Sequence, residues 1–397
     1  MLANDFSVLN LSRYQLRLRA CQSVVLPQFL GSTLRGALGH ALKEAVCVMN
    51  HRDCGRCMLA ERCIYPYIFE TPAPPIELLR GQKGAPHPFI LMPPLPEPDD
   101  GPILRPDPPP RQFKRSEFVY SGKTLRLVKP TPITCSDKGW NLSPGDELVF
   151  DLLLVGRAIE YMPYVVYAVR EMAKRGLGAN RVPFDLSQVA VVDEHGFAQT
   201  IYAGGDHRIT VSSQATKTLT ELIQTRLEQL RATNILFLDE LRLNFRTMTR
   251  IRVDGDLQQA LTFELLIRSL LRRISLLAAV HGSGRLDVNY RALIDQASGV
   301  RTRASGLHWR EWERYSNRQR IKMNMGGFVG GIEYVGEAIQ EFLPLIIAGE
   351  TLHLGTGTTF GLGRYAIEVP TLRCNREDIA SVGTSDKQAS QASLGGL

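Results

Sequence analysis

The sequence has no apolar run long enough to cross a bilayer. Its first twenty residues, MLANDFSVLNLSRYQLRLRA, also lack the apolar core and small-residue cleavage site of a secretory signal. A cytoplasmic chain is expected. Two nucleotide-binding fingerprints are missing as well. In the glycine-rich stretch HLGTGTTFGLGRY (353–365), Phe360 stands where a dinucleotide fold has its third glycine. A predicted helix precedes that stretch rather than following it. A phosphate loop would need a six-residue glycine spacing closed by Lys and Ser or Thr, and neither is there. An acidic excess is lacking too: 47 Lys and Arg stand against 40 Asp and Glu, a formal charge of +7. That balance favours a polyanionic partner if the charge is clustered.

Seven cysteines cannot all pair, and four of them crowd into residues 47–63. In a cytoplasmic chain such crowding points to metal before disulfides. Cys47, Cys54, Cys57 and Cys63 have the spacing C-x6-C-x2-C-x5-C. The set suits one tetrahedral ion, with zinc the commonest occupant and an iron–sulfur cluster the alternative. Four thiolates leave no open position, so the role expected is structural. Downstream, residues 71–112 hold 14 of the 23 prolines. Proline removes backbone donors, so an extended surface loop is expected there.

The remaining pattern alternates strands and helices. SRYQLRLRA (12–20) alternates like a half-buried strand. STLRGALGHALKEAV follows as a helix, with Ser32 or Thr33 as cap and Leu34, Leu38, Ala41, Leu42 and Ala45 as its apolar stripe. KTLRLVKP and DELVFDLLLVG read as strands. Residues 156–175 read as a helix ended by Gly176, and FDLSQVAVVDEHG with AQTIYAGG as a hairpin. The second half repeats the plan. A strand at 241–253 leads to a helix at 261–280 with Phe263, Ile267, Leu270, Ile274 and Leu277 on one face. Two strands joined through glycines (320–336), the helix EAIQEFLPLIIAGE and the final strand GRYAIEV complete it. Two successive β-α-β-β-α-β units predict an α+β chain of tandem ferredoxin-like domains, 1–210 and 211–370, with a small metal-binding insert. Residues 371–397 are polar and small, and disorder is expected.

Within this plan the glycine loop joins a helix to the last strand of a ferredoxin-like unit. Its backbone N–H groups, free of side chains, can lie against an RNA phosphate chain. The same glycines equally serve a tight turn that needs positive φ. Residues 301–322 add six arginines and a lysine, interleaved with Trp309, Trp312 and Tyr315. Arginine supplies phosphate contacts and rings can stack on unpaired bases. Glu311 and Glu313 break the run. The tryptophans are therefore read as core, and Arg318, Arg320 and Lys322 as facing RNA. Arg35 on the first helix is a further RNA candidate.

Taken together, GSTLRGALGHAL, the cysteine cluster running into YPYIFETP, APHPFIL, GRAIEYMPYVVYAV, RYSNRQRIKMNMGGFVGGIEY and the glycine loop resemble the RAMP superfamily of CRISPR-associated proteins. The likeness is to its endoribonucleases, which cleave precursor CRISPR RNA within the repeats. It covers residues 31–365 in order. It implies that the chain binds CRISPR repeat RNA, keeps company with other CRISPR effector subunits, and needs neither membrane nor DNA. It also implies cleavage without a catalytic metal: the 2′-hydroxyl attacks, leaving a 2′,3′-cyclic phosphate and a 5′-hydroxyl. In this family the base is often a histidine near the first helix, aided by Tyr or Lys. His40 is the matching position, on the face opposite the apolar stripe with Lys43. His51 and His87 are the reserves. The glycine loop, Gly355, Gly357, Gly361 and Gly363, then marks the RNA-binding surface together with Arg364. A RAMP subunit that binds RNA without cutting it, or a zinc-stabilised single-stranded RNA-binding protein, would show the same folds and loop.

Overall fold

The computed structural model describes residues 6–49, 53–80, 84–96, 134–193, 195–205, 208–210, 216–232, 239–316 and 321–368. Six helices are used below: α1 Gly31–Val46, α2 Met162–Arg175, α3 Leu219–Ala232, α4 Phe263–His281, α5 Tyr290–Ala297 and α6 Ile339–Leu352. No helix among the described residues is long and apolar enough to cross a membrane.

The first sheet runs Phe89–Met92, Glu147–Val155, Asn10–Ala20, Phe184–Val192, Ala198–Ala203. Every pairing is antiparallel, with Leu16 opposite Phe150 on one side and Val189 on the other. With α1 after its first strand and α2 after its third, this is the β-α-β-β-α-β order of a ferredoxin-like unit, extended by one hairpin strand. The second sheet repeats it: Arg301–Ser305, Gly327–Val335, Glu240–Thr249, Tyr365–Glu368, with α4 and α6 as crossovers.

Each unit closes by burying the apolar stripe of its helices on its sheet. Leu34, Leu38 and Leu42 of α1 and Val165, Val169 and Met172 of α2 lie on Leu16, Leu18 and Phe150. Ile267, Leu270 and Ile274 of α4 with Phe342 and Ile346 of α6 cover Leu243 and Phe245. The second core does not stop at its own sheet. Leu11, Ile90, Leu153 and Val155 of the first sheet belong to it, so apolar contact fuses the two units.

Several expectations are corrected. Neither Ser32 nor Thr33 caps α1: Leu30 takes the cap position without a side-chain bond. Gly31, the first residue of the helix, is pressed against the Phe360 carbonyl of the second unit, where a Cβ would lie 2.7 Å from the carbonyl carbon. Ala45 is exposed rather than part of the stripe. Pro163 sits in the first turn of α2, where its missing N–H is no loss, and Gly156–Tyr161 before it forms a separate 3₁₀ turn. The two strands expected over 320–336 are there, Ile321–Asn324 and Gly327–Val335, the first paired with Glu313–Ser316. Trp309 and Trp312 are half-buried, and Trp312 meets Phe29 of the first unit edge-on at 4.5 Å. The strand expected over KTLRLVKP, residues 81–83 and 97–112 of the proline-rich stretch and the 371–397 tail lie outside the described residues, while Phe89–Met92, inside the expected surface loop, is a buried strand of the first sheet.

Two glycines of α1 separate local from long-range effects. Gly36 is exposed with nothing near its missing Cβ, so Gly36→Ala is expected to stabilise the protein by about 0.5–1 kcal/mol. Gly31→Ala is expected to destabilise it by about 1–3 kcal/mol through the clash with Phe360. Urea unfolding of both variants checks the opposite signs.

Candidate functional site

The glycine loop lies where the two units meet. Its four glycines, Gly355, Gly357, Gly361 and Gly363, have φ of 80°, 81°, 83° and 74°, values that side chains rarely tolerate. Gly361 is pressed against Pro93 and the Leu91 carbonyl of the first unit, with a Cβ due 2.7 and 2.9 Å from their atoms. Gly363 is folded over Leu354, whose N–H donates to the Gly363 carbonyl at 2.8 Å. The loop is mostly buried, and only Thr356 is exposed. What its backbone approaches most closely is therefore the protein itself.

Two arginines pin this loop. Arg35 of α1 donates from Nε to Thr359 Oγ1 at 2.9 Å, and its guanidinium lies 4.6 Å from the centre of the Phe360 ring. Arg273 of α4 donates to the Leu352 carbonyl at 2.8 Å and to Thr358 Oγ1 at 3.0 Å. Burial lowers the Arg273 pKa to about 10, which still leaves it charged at neutral pH. Arg364, at the loop's exit, is half-buried. Its pKa is lowered first by burial and then by the charges of Arg13 and Arg246. Three guanidiniums thus gather where the two sheets adjoin, with the carboxylates of Asp151, paired with Arg13, and of Glu350 beside them.

Beside the loop, histidines join the units. His281, the last residue of α4, has Nε2 at 2.7 Å from the Pro86 carbonyl and Nδ1 at 3.2 Å from the Tyr67 hydroxyl. A carbonyl only accepts, so Nε2 carries the proton and Nδ1 accepts from Tyr67. The Tyr67 phenol is pushed up to about 12, chiefly by burial. Arg157 stacks on its outer side, 4.6 Å from the ring centre. One residue beyond Pro86, His87 places Nδ1 at 2.7 Å from Thr71 Oγ1. Thr71 is itself unusual. It closes a π-helical turn, Pro66–Glu70, with φ of 40° and ψ of 66°, and its N–H donates to the Pro66 carbonyl at 2.6 Å. Left-handed backbone in a β-branched residue is strained and persists only where its surroundings enforce it. Burial lowers both His87 and His281 to about 4; Arg35, His281 and Arg273 add to the shift at His87. His353, fully inside the loop, is lowered to about 3, mainly by burial and then by Arg364.

The residues singled out by sequence are dispersed. His40 is on α1 with a 75% exposed side chain, its Nδ1 3.6 Å from Glu44, which also pairs with Arg175. Lys43, three residues on, turns the other way, with its ammonium 4.9 Å from the Tyr65 ring centre beside the cysteines. The two do not converge. Arg35 and the glycines are together, but at the domain interface. Arg318 and Arg320 lie outside the described residues, as does the side chain of Lys322. His87 was a reserve candidate. Its partners Thr71 and His281 had no sequence signal, because each acts through a contact between distant segments.

Cys47, Cys54, Cys57 and Cys63 do line one cavity, with Lys43 and Asp53 on its wall. Four thiols around one space match the donor set of a soft tetrahedral ion. Cys47 Sγ donates to the Met49 carbonyl at 3.6 Å. The Cys54 thiol is pushed up by burial and then by Glu70. Among the described residues no group of three or more His, Cys, Asp or Glu side chains is disposed to hold a metal. The donor chemistry fits; the side-chain arrangement does not close around an ion.

The lowered histidines make stability depend on pH. Between about 6.5 and 4 the unfolded chain takes up protons that the folded His87 and His281 refuse, so stability falls as pH falls through that window. The melting temperature is expected to drop between pH 7 and pH 4.5, with a shallower drop in a His281→Gln variant; thermal melts at a series of pH values check this.

Comparison with known proteins agrees with this architecture. Residues 9–109 and 103–214 match the AF_1859_N model, an N-terminal domain. Residues 243–365 match the model of the CRISPR-associated endoribonuclease Cas6. A protein of Archaeoglobus fulgidus, described as uncharacterized, is 21% identical over 343 residues, 86% of this chain and 92% of its own. Among solved structures, a partial Cas6-RT-Cas1–Cas2 complex superposes with a TM-score of 0.50 at 12% identity, over 92% of this chain and 47% of the other. Thermus thermophilus Cas6 gives a TM-score of 0.45 at 12% identity, over 91% and 99% of the two chains. The chain thus carries an AF_1859_N-type N-terminal domain, and its second half is similar to the CRISPR-associated endoribonuclease Cas6.

Proposed function

We propose that this endoribonuclease cleaves its repeat RNA without a catalytic metal, by attack of the 2′-hydroxyl on the adjacent phosphate. The products are a 2′,3′-cyclic phosphate and a 5′-hydroxyl. Such chemistry needs a base at the 2′-hydroxyl and fixed cations for the charge that develops on phosphorus. The observation that carries the reading is the domain interface, where neutral histidines and the Arg35 and Arg273 guanidiniums stand around one rigid loop. The base is a histidine of the first unit. His40 is the candidate given by position on α1, aided there by Lys43, and His87 the candidate given by the interface.

RNA backbone is proposed to follow the gathering of Arg13, Arg246 and Arg364 and the exposed edge of the loop at Gly355, Thr356 and Gly357. Gly361 and Gly363 shape that edge from within. Arg318, Arg320 and Lys322 extend the basic surface by sequence alone. A neighbour in the structural comparison is a Cas6 assembled with Cas1 and Cas2; contact with other CRISPR proteins is proposed for this chain too. The same reading makes the protein a cytoplasmic member of the RAMP superfamily and gives Cys47, Cys54, Cys57 and Cys63 a structural zinc. There they would hold the knuckle between α1 and the π-helical turn.

Two experiments test these proposals. Purified protein in EDTA, given RNA of the repeat encoded beside its gene, is expected to cut it at one position and leave a cyclic phosphate detectable by mass spectrometry. RNA that is bound but left intact would make this an RNA-binding subunit instead. Metal analysis is expected to find one zinc per chain, lost in Cys54→Ser with a lower melting temperature; a metal-free protein of unchanged stability would refute the zinc site.

A further inference from the structure

We propose that His87, and not His40, is the general base of this chain, with Nε2 taking the proton of the attacking 2′-hydroxyl. The assignment rests on the endoribonuclease reading above and deepens it. It starts from the hydrogen bonds of Thr71. The threonine hydroxyl has one proton, and Oγ1 is 3.0 Å from the Tyr67 carbonyl and 3.4 Å from the Ile68 carbonyl. Both of those groups only accept, and we assign the Thr71 proton to the nearer of them, the Tyr67 carbonyl, rather than to His87 Nδ1. Oγ1 must then accept from His87 Nδ1, 2.7 Å away. Neutral His87 is thereby fixed as the Nδ1–H tautomer, and its Nε2 carries the lone pair. Among the described residues nothing bonds to Nε2, and the ring is only partly buried. This is the arrangement a general base requires: one nitrogen anchored, the other presented.

The anchor is stiff. The Ala85 N–H donates to the Thr71 carbonyl at 2.9 Å, and the Val155 N–H donates to the Pro88 carbonyl at 2.9 Å. His281 holds Pro86 from the second unit. The backbone is therefore tied before, beside and after His87. The left-handed Thr71 that receives the ring is the strained point of this assembly, as strain at a working site is. Arg35 and Arg273 supply the nearby positive charge.

The other described histidines lack this combination. Both nitrogens of His281 are engaged, so it is a positioning residue acting through Pro86. His353 is sealed inside the glycine loop at 1% exposure. His40 stands in solvent beside Glu44. His195 and His308 are exposed on loop and strand, away from the anchored segment.

The step balances simply. The 2′-oxygen forms a bond to phosphorus as its proton passes to His87 Nε2, and the bond from phosphorus to the 5′-oxygen breaks. The leaving oxygen takes a proton from water, and the His87 imidazolium returns its own to solvent.

Single-turnover cleavage of the repeat RNA in EDTA tests the assignment with three variants. His87→Asn keeps a donor to Thr71 and removes the basic nitrogen. It is expected to retain the melting temperature, to bind RNA within about threefold of wild type, and to lose cleavage by about 10²-fold or more. His87→Ala should regain part of its activity with added imidazole, a response that a merely structural role would not give. His87→Asn cutting within tenfold of wild type would overturn the proposal, as would a 10²-fold loss confined to His40→Ala. A wild-type protein that cuts no repeat RNA would overturn the endoribonuclease reading itself, a different failure from an active His87→Asn.

Discussion

The contact on which the structure depends is the seating of the glycine loop between the two ferredoxin-like units. Gly361 meets Pro93 and Leu91, and Gly31 of α1 meets Phe360, with no room for a Cβ at either place. Close backbone approach of this kind leaves little freedom to slide. Arg35 and Arg273 then tie the loop from opposite units through the hydroxyls of Thr359 and Thr358. The apolar core that spans both sheets supplies the bulk of the association, and the loop sets its register.

That register decides what the histidines can do. α4 ends at His281, which reaches across to Pro86 only because the units are docked. Gly156, at φ of 58°, lets the chain before α2 lie against the His281 backbone from the other side. The result is a short segment, residues 85–88, fixed at every backbone step that matters. A base held by a rigid frame needs little reorganisation when substrate arrives, and positioning is a large part of what such a site contributes. Arriving phosphates would raise the His87 proton affinity that burial and the two arginines depress, bringing it toward the range where a base works best.

Much of the fold was legible because it is written in local periodicity. The alternation of 12–20, the stripe Leu34, Leu38, Leu42 and the face Phe263, Ile267, Leu270, Ile274 each point to one element and one buried side. α3 carries the same kind of signal, Leu219, Ile223 and Leu230. The site was legible in its parts and not in its assembly. Glycine spacing showed that a backbone comes close to something, but not that the something is Leu91 and Pro93 of the other unit. Helical geometry put His40 and Lys43 on one side of α1, yet Tyr65 draws the Lys43 ammonium toward the cysteines. His87 stood out only as a histidine between two prolines. Its significance comes from Thr71, sixteen positions earlier, and from His281, on a helix of the second unit. Such contacts leave no periodic trace.

The central claim is that docking of the two units fixes the protonation of two histidines. Nitrogen-15 spectra of the imidazole rings at pH 6 test it most directly. The account predicts that both are neutral, with the proton on Nδ1 of His87 and on Nε2 of His281. An imidazolium at either residue, or the opposite tautomer at His87, would contradict it.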